Sequence, residues 1–106
     1  MNLNEIVREA HDNAKAHGFY DKDRNIPEML ALIHSEVSEA LEDYRDDLMA
    51  VSYLGAKPCG FPSELADIII RVADLAGYLK IDLDAIVAEK MAHNRTRPRL
   101  HGGKRA

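Results

Sequence analysis

The sequence predicts an all-α protein, a compact bundle of four helices in one domain spanning residues 1–106. Three observations carry this. Four segments repeat apolar residues at helical spacing, strand-like alternation is absent, and turn residues fall between the segments. With 106 residues, 46% hydrophobic and 30% charged, the chain has room for one modest core.

Leu3, Ile6, Val7, Ala10 and Ala14 lie on one side of a first helix that ends near Gly18. Pro27, a favourable first-turn residue, opens a second helix that runs to about Ala50. The third begins at Pro62 and stops around Leu79. Asp82 caps a fourth, which carries Leu83, Ile86, Val87 and Met91 towards Asn94. The linkers are Gly18 to Ile26 and a turn-rich stretch from Gly55 to Phe61.

Composition narrows the function classes. No apolar run reaches the roughly 18 residues of a membrane span, and Met1 to Glu5 lack the regions of a signal peptide, so a cytoplasmic protein is expected. The single cysteine, Cys59, excludes an internal disulfide framework, and its Lys57-Pro58-Cys59-Gly60 setting has no metal or redox spacing. The formal net charge is −4, yet no acid follows Glu89, while Lys90, Arg95, Arg97, Arg99, Lys104 and Arg105 do. A basic tail, about 96–106, suits a nucleic-acid arm, a phosphate clamp or a solvated terminus.

Two acid pairs stand at helical spacing: Glu36 with Glu39, and Glu64 with Asp67. On the second helix Met29, Ile33, Val37, Ala40, Leu41 and Tyr44 form the expected core stripe, and Glu36, Glu39 and Asp43 hug one edge of it. On the third, Leu65, Ile68, Ile69, Val72, Leu75, Ala76 and Leu79 fill one arc, and Ala66, Ile70, Ala73 and Gly77 a second. Glu64, Asp67, Arg71 and Asp74 occupy the remaining polar sector. This predicts a helix enclosed by neighbours except where it presents charge.

A spacing of i, i+3 sets two carboxylates about 5 to 6 Å apart at Cβ, so an antiparallel pair of such helices closes a cage of oxygens. Hard oxygen donors favour Mg²⁺, with Mn²⁺ as its substitute. A di-iron bundle would need Glu-x-x-His, whereas Glu39 and Asp67 stand at the third position, and clustered Cys and His for zinc are missing. Magnesium held by carboxylates keeps positions for substrate phosphates. On the fourth helix Lys90, Asn94 and Arg97 fall within the same arc as Leu83, Val87 and Ile86, where they either neutralise the acids or bind those phosphates.

These residues together resemble the MazG-like all-α nucleoside triphosphate pyrophosphatase superfamily. Its hallmark is an E-x-x-E pair, a spacer, and an E-x-x-D pair, matched by Glu36, Glu39, Glu64 and Asp67 around a spacer from Ala40 to Ser63. The stretch from Gly18-Phe19-Tyr20 through Asn25-Ile26-Pro27 to Ser35-Glu36 is similar, as is Lys90-x-x-x-Asn94-x-x-Arg97-Pro98. Many members place two adjacent acids at the first pair, where this chain has Ser35 before Glu36. The resemblance implies Mg²⁺ on Glu36, Glu39, Glu64 and Asp67, and Lys90, Asn94 and Arg97 near the phosphates. It also implies a homodimer or homotetramer whose helices complete one another's sites.

The expected reaction is hydrolysis of a nucleoside triphosphate between the α and β phosphates, with Glu39 taking the proton of the attacking water. Two other classes stay open: a nucleotide-binding sensor that does not hydrolyse, and a helical module whose basic tail binds nucleic acid. The second lacks a helix-turn-helix signature or stacking platform, and a membrane partner is not expected. Phe19 and Tyr20 suit either a nucleobase or the bundle interior, and His34 suits packing or the surface. His11 and His17 have no acid pattern nearby in sequence. Asp43 and Asp74 read as supporting acids or as partners of Arg71.

Overall fold

The computed structural model describes residues 2–98. Four helices follow in order: α1 (Leu3–Ala16), α2 (Ile26–Arg45), α3 (Phe61–Tyr78) and α4 (Leu83–Thr96). Three open on side-chain caps. Asn2 accepts from the Glu5 amide at 2.8 Å, Asn25 from that of Glu28 at 2.7 Å, and Asp82 from that of Ala85 at 3.1 Å. The part of the expected basic tail from residue 99 onward lies outside the described residues. Among those described, no helix is long and apolar enough to cross a membrane.

Two segments differ from expectation. Helix α2 ends at Arg45 rather than near Ala50, because Asp46 closes it and Asp47 turns the chain with φ of 60°. A β-hairpin fills the α2–α3 connection, with β1 (Ser52–Leu54) antiparallel to β2 (Lys57–Cys59) and Ser52 opposite Cys59. Gly55, at φ 62°, makes its two-residue turn. Three-residue strands are too short to show alternation, which hides them in the sequence.

The junction into α3 depends on Gly60. Its φ is 100°, and a Cβ there would lie 2.3 Å from the Ala50 carbonyl oxygen. The next residue, Phe61, donates its amide to the Leu48 carbonyl at 2.8 Å, which ties the start of α3 to the end of α2.

Helix α3 is central, packing on α1 and on α2, while α4 packs on α1. Later residues of α2 meet earlier residues of α3, so this pair is antiparallel. Val7, Ala73 and Ala76 form the buried core, with Ile6, Ala10 and Leu83 against it. The first turns of α1 and α4 cap each other. Asp84 accepts the amides of Leu3 and Asn4 at 3.1 and 3.0 Å, and Asn4 Oδ1 accepts those of Leu83 and Asp84 at 3.1 and 3.2 Å.

The helix faces are turned relative to the predicted stripes. On α2, Met29 and Ala40 are buried as expected, together with Glu36, but Val37, Leu41 and Tyr44 are exposed. On α3 the charged sector is the one turned inward: Glu64, Asp67, Arg71 and Asp74 are half-buried, whereas Leu65, Ile69 and Val72 are exposed. Within the protomer the enclosure predicted for the apolar arcs of α3 holds at Ala73 and Ala76 but not at Leu65, Ile69 and Val72.

Gly60→Ala combines a forbidden backbone angle with a backbone clash and should cost about 3 kcal/mol or more. Thermal melts check this: a loss of several degrees is expected, and an unchanged midpoint would mean that the α2–α3 junction is not held by this residue.

Candidate metal centre

Glu36, Glu64 and Asp67 each offer an oxygen, and the three atoms lie within 4.8 Å of one another. Helix α2 supplies the first from its middle, and the opening turns of α3 supply the other two. Glu36 is only 8% exposed. Its Oε1 accepts from Arg71 Nε at 2.8 Å, and its Oε2 is buried with no hydrogen-bond partner among the described residues. Glu64 Oε2 and Asp43 Oδ2 are buried without a protein donor as well.

Buried carboxylate oxygens without donors are costly unless a proton or a cation compensates them. The local charge makes the point. Burial pushes the Glu64 carboxyl up to about 7, helped by a hydrogen bond to Glu39 and by the charges of Glu39, Asp67 and Asp43. Asp67 is also raised, by burial and then by Glu36, with Arg71 and Lys57 opposing. Among the described residues, five acids thus share a region served by Arg71 and Lys57. The donors are all hard oxygens at a spacing one small divalent ion could bridge, so the residues fit Mg²⁺ or Mn²⁺.

Glu39 lies outside the tight group of three but beside Glu64, and its residue is exposed. Lys90 and Asn94, expected on the inner face of α4, are not brought to the acids within this protomer. Every residue from Ala88 to Thr96 is exposed, because α4 follows α1 only through its first turns. The side chains of Lys90 and Asn94 accordingly make no hydrogen bond or ion pair with a described residue, and Arg97 closes the helix as its C-cap. The predicted place of Lys90 and Asn94 on an inward stripe is corrected for the single chain, whereas Arg97 is half-buried.

A cavity of about 870 Å³ opens beside the acids. Glu36, Asp67 and Arg71 line one part of it, and Phe19, Arg24 and Ile70 are among the other lining residues. Asp74, also in its wall, anchors the surrounding structure: its Oδ1 accepts the Tyr20 hydroxyl at 2.8 Å and lies 2.9 Å from His11 Nδ1. Tyr20 stacks on Tyr78 with centroids 5.2 Å apart, and the Arg24 guanidinium sits 5.6 Å above the Tyr20 ring. Burial and Asp74 hold the Tyr20 hydroxyl above the ordinary phenol range. Tyr20 is therefore structural, while Phe19 is exposed and free to meet a ligand.

Sequence spacing found Glu36, Glu64 and Asp67 but not two partnerships. Arg71 pairs with Glu36 rather than with Asp43 or Asp74, and His11 meets Asp74 across 63 residues. No local pattern signals either. No family model matches the chain, and neither a curated protein nor a solved structure is matched by it.

The raised Glu64 carboxyl fixes the sign of a pH effect. Its value rises from 4.5 to about 7 on folding, so between these limits the folded chain holds the extra proton. Stability is then greatest below the lower value and falls as pH rises through the upper one. In chelator-treated protein, melting temperature should drop between about pH 4.5 and 7, and saturating Mn²⁺ should restore most of the loss. Glu64→Gln should flatten the profile and abolish the Mn²⁺ effect. A wild-type midpoint indifferent to both pH and Mn²⁺ would contradict the centre.

Proposed function

We propose that this chain is a divalent-cation-dependent nucleoside triphosphate pyrophosphohydrolase of the MazG-like all-α kind, cleaving a ribo- or deoxyribonucleoside triphosphate to the monophosphate and pyrophosphate. One observation carries the reading: three carboxylates from two antiparallel helices converge, Glu36 and Glu64 each with a buried, unpartnered oxygen, and Glu36 and Asp67 line a cavity large enough for a nucleotide. The four acids of the two sequence pairs all belong to this region.

Glu36, Glu64 and Asp67 hold the ion, Mg²⁺ in the first instance, which neutralises phosphate charge when bound. Glu39, exposed beside Glu64, takes the proton of the attacking water. The cavity receives the nucleoside.

The functional unit is a homodimer or higher homo-oligomer. Leu30, Val37, Leu41 and Tyr44 form one exposed stripe along α2, and Leu65, Ile69 and Val72 another along α3. Such stripes suit helix packing between copies, and the exposed second half of α4 then carries Lys90 and Asn94 towards the phosphates at a second copy's centre, with Arg97 following at the helix end. That arrangement answers the exposure of the apolar stripes and of Lys90 together.

A panel of ribo- and deoxyribonucleoside triphosphates with Mg²⁺, scored for pyrophosphate against orthophosphate, tests the reaction. Pyrophosphate with monophosphate is expected, and Glu39→Gln should lower kcat by about a hundredfold or more while Mn²⁺ still binds. Orthophosphate as sole product, or silence across the panel, would overturn the reading. Sedimentation equilibrium checks the assembly. Wild type should be a dimer or larger at micromolar concentration and Ile69→Glu a helical monomer, whereas a monomeric wild type would contradict it.

A further inference from the structure

We infer that Arg71 is a phosphate-binding residue of this centre, held on Glu36 until a divalent cation takes over that carboxylate. This rests on the cation and triphosphate reading above and adds to it a cation supplied by the same chain as the acids.

Three features of the site lead there. Glu36 is 8% exposed and has an unpartnered buried oxygen, so it needs a positive charge whatever else is present. Arg71 supplies one by a single contact, Nε to Glu36 Oε1 at 2.8 Å, and its two Nη groups make no hydrogen bond with a described residue. The same side chain, more than a third exposed, lines the cavity together with Glu36, Asp67 and Asp74. A guanidinium is a planar fork suited to taking two oxygens of one phosphate, and here one edge is engaged while the terminal donors are left over.

A cation shared by Glu36 and Asp67 repels the Arg71 charge and competes for the same carboxylate. Each therefore weakens the other's hold on Glu36. Anionic oxygens arriving in the cavity reverse the balance, since they accept from the Nη groups and offset the added charge. Arg71 so opposes the bare cation and favours the cation with phosphate. A residue that merely supports the fold would move both affinities in the same direction.

Arg71→Met and Arg71→Lys, titrated calorimetrically with Mn²⁺ alone and with inorganic tripolyphosphate at saturating Mn²⁺, test this without reference to turnover; far-UV circular dichroism verifies the helices. In Arg71→Met, Mn²⁺ should bind about fivefold more tightly and tripolyphosphate about tenfold to a hundredfold more weakly. In Arg71→Lys, Mn²⁺ affinity should stay near wild type and tripolyphosphate weaken severalfold, as the fork is lost. Loss of both affinities in a helical Arg71→Met protein, or no change in tripolyphosphate binding, overturns the assignment. Should that variant not fold, unchanged tripolyphosphate binding in Arg71→Lys overturns it alone. A wild type that binds Mn²⁺ but no tripolyphosphate refutes the Arg71 role and leaves the cation centre standing; one that binds neither ends both.

Discussion

Burial of the Glu36 carboxylate between α2 and α3 is the constraint from which the rest of this structure follows. An ionised group removed from water costs several kcal/mol unless it is paired, and here two further acids stand against it. Arg71 satisfies one oxygen of Glu36. The other, with Glu64 Oε2 and Asp43 Oδ2, is left to a proton or a cation. A helix interface organised around like charges is tolerated only where a ligand or proton compensates it, so protonation or cation binding there would be coupled to folding.

That choice has a consequence for packing. Once the inner side of α3 carries Glu64, Asp67, Arg71 and Asp74, its large apolar residues are forced elsewhere. The protomer's own core is correspondingly small, built on Val7, Ala73 and Ala76 where α1 crosses α3. Gly77 permits that crossing, since a Cβ there would lie 2.7 Å from His11 Cβ. The close approach brings His11 to Asp74, and Asp74 in turn fixes Tyr20 and the cavity wall. Reciprocal capping between Asn4 and Asp84 then fastens α4 to α1 by its first turn and leaves its second half exposed.

Much of this was legible in the sequence. Four helices, the Asp82 cap and the acid pairs all follow from the sequence, because helix formation and i, i+3 proximity are local properties, whereas the Asn2 and Asn25 caps came only with the structure. Glu36, Glu64 and Asp67 were found in that way. What the wheel cannot tell is which surface covers an apolar stripe. Val37, Leu41 and Tyr44 form a clean stripe that reads as core, yet the chain leaves them exposed and buries Glu36 instead. Lys90 and Asn94 were misplaced for the same reason, since a helix can share a face with Leu83 and still depart from its neighbours. Arg71 on Glu36 is a contact across 35 residues, set by how α2 and α3 pair rather than by either helix alone. The hairpin escaped notice because three residues cannot display a period.

The proposed function requires that the inward acids of α2 and α3 hold a divalent ion. Anomalous diffraction from crystals grown with Mn²⁺ measures this most directly. A peak bounded by Glu36, Glu64 and Asp67, with an oxygen of each at about 2.1 to 2.3 Å, is the predicted result. Crystals saturated with Mn²⁺ that show no peak there, and Arg71 still paired with Glu36, would contradict it.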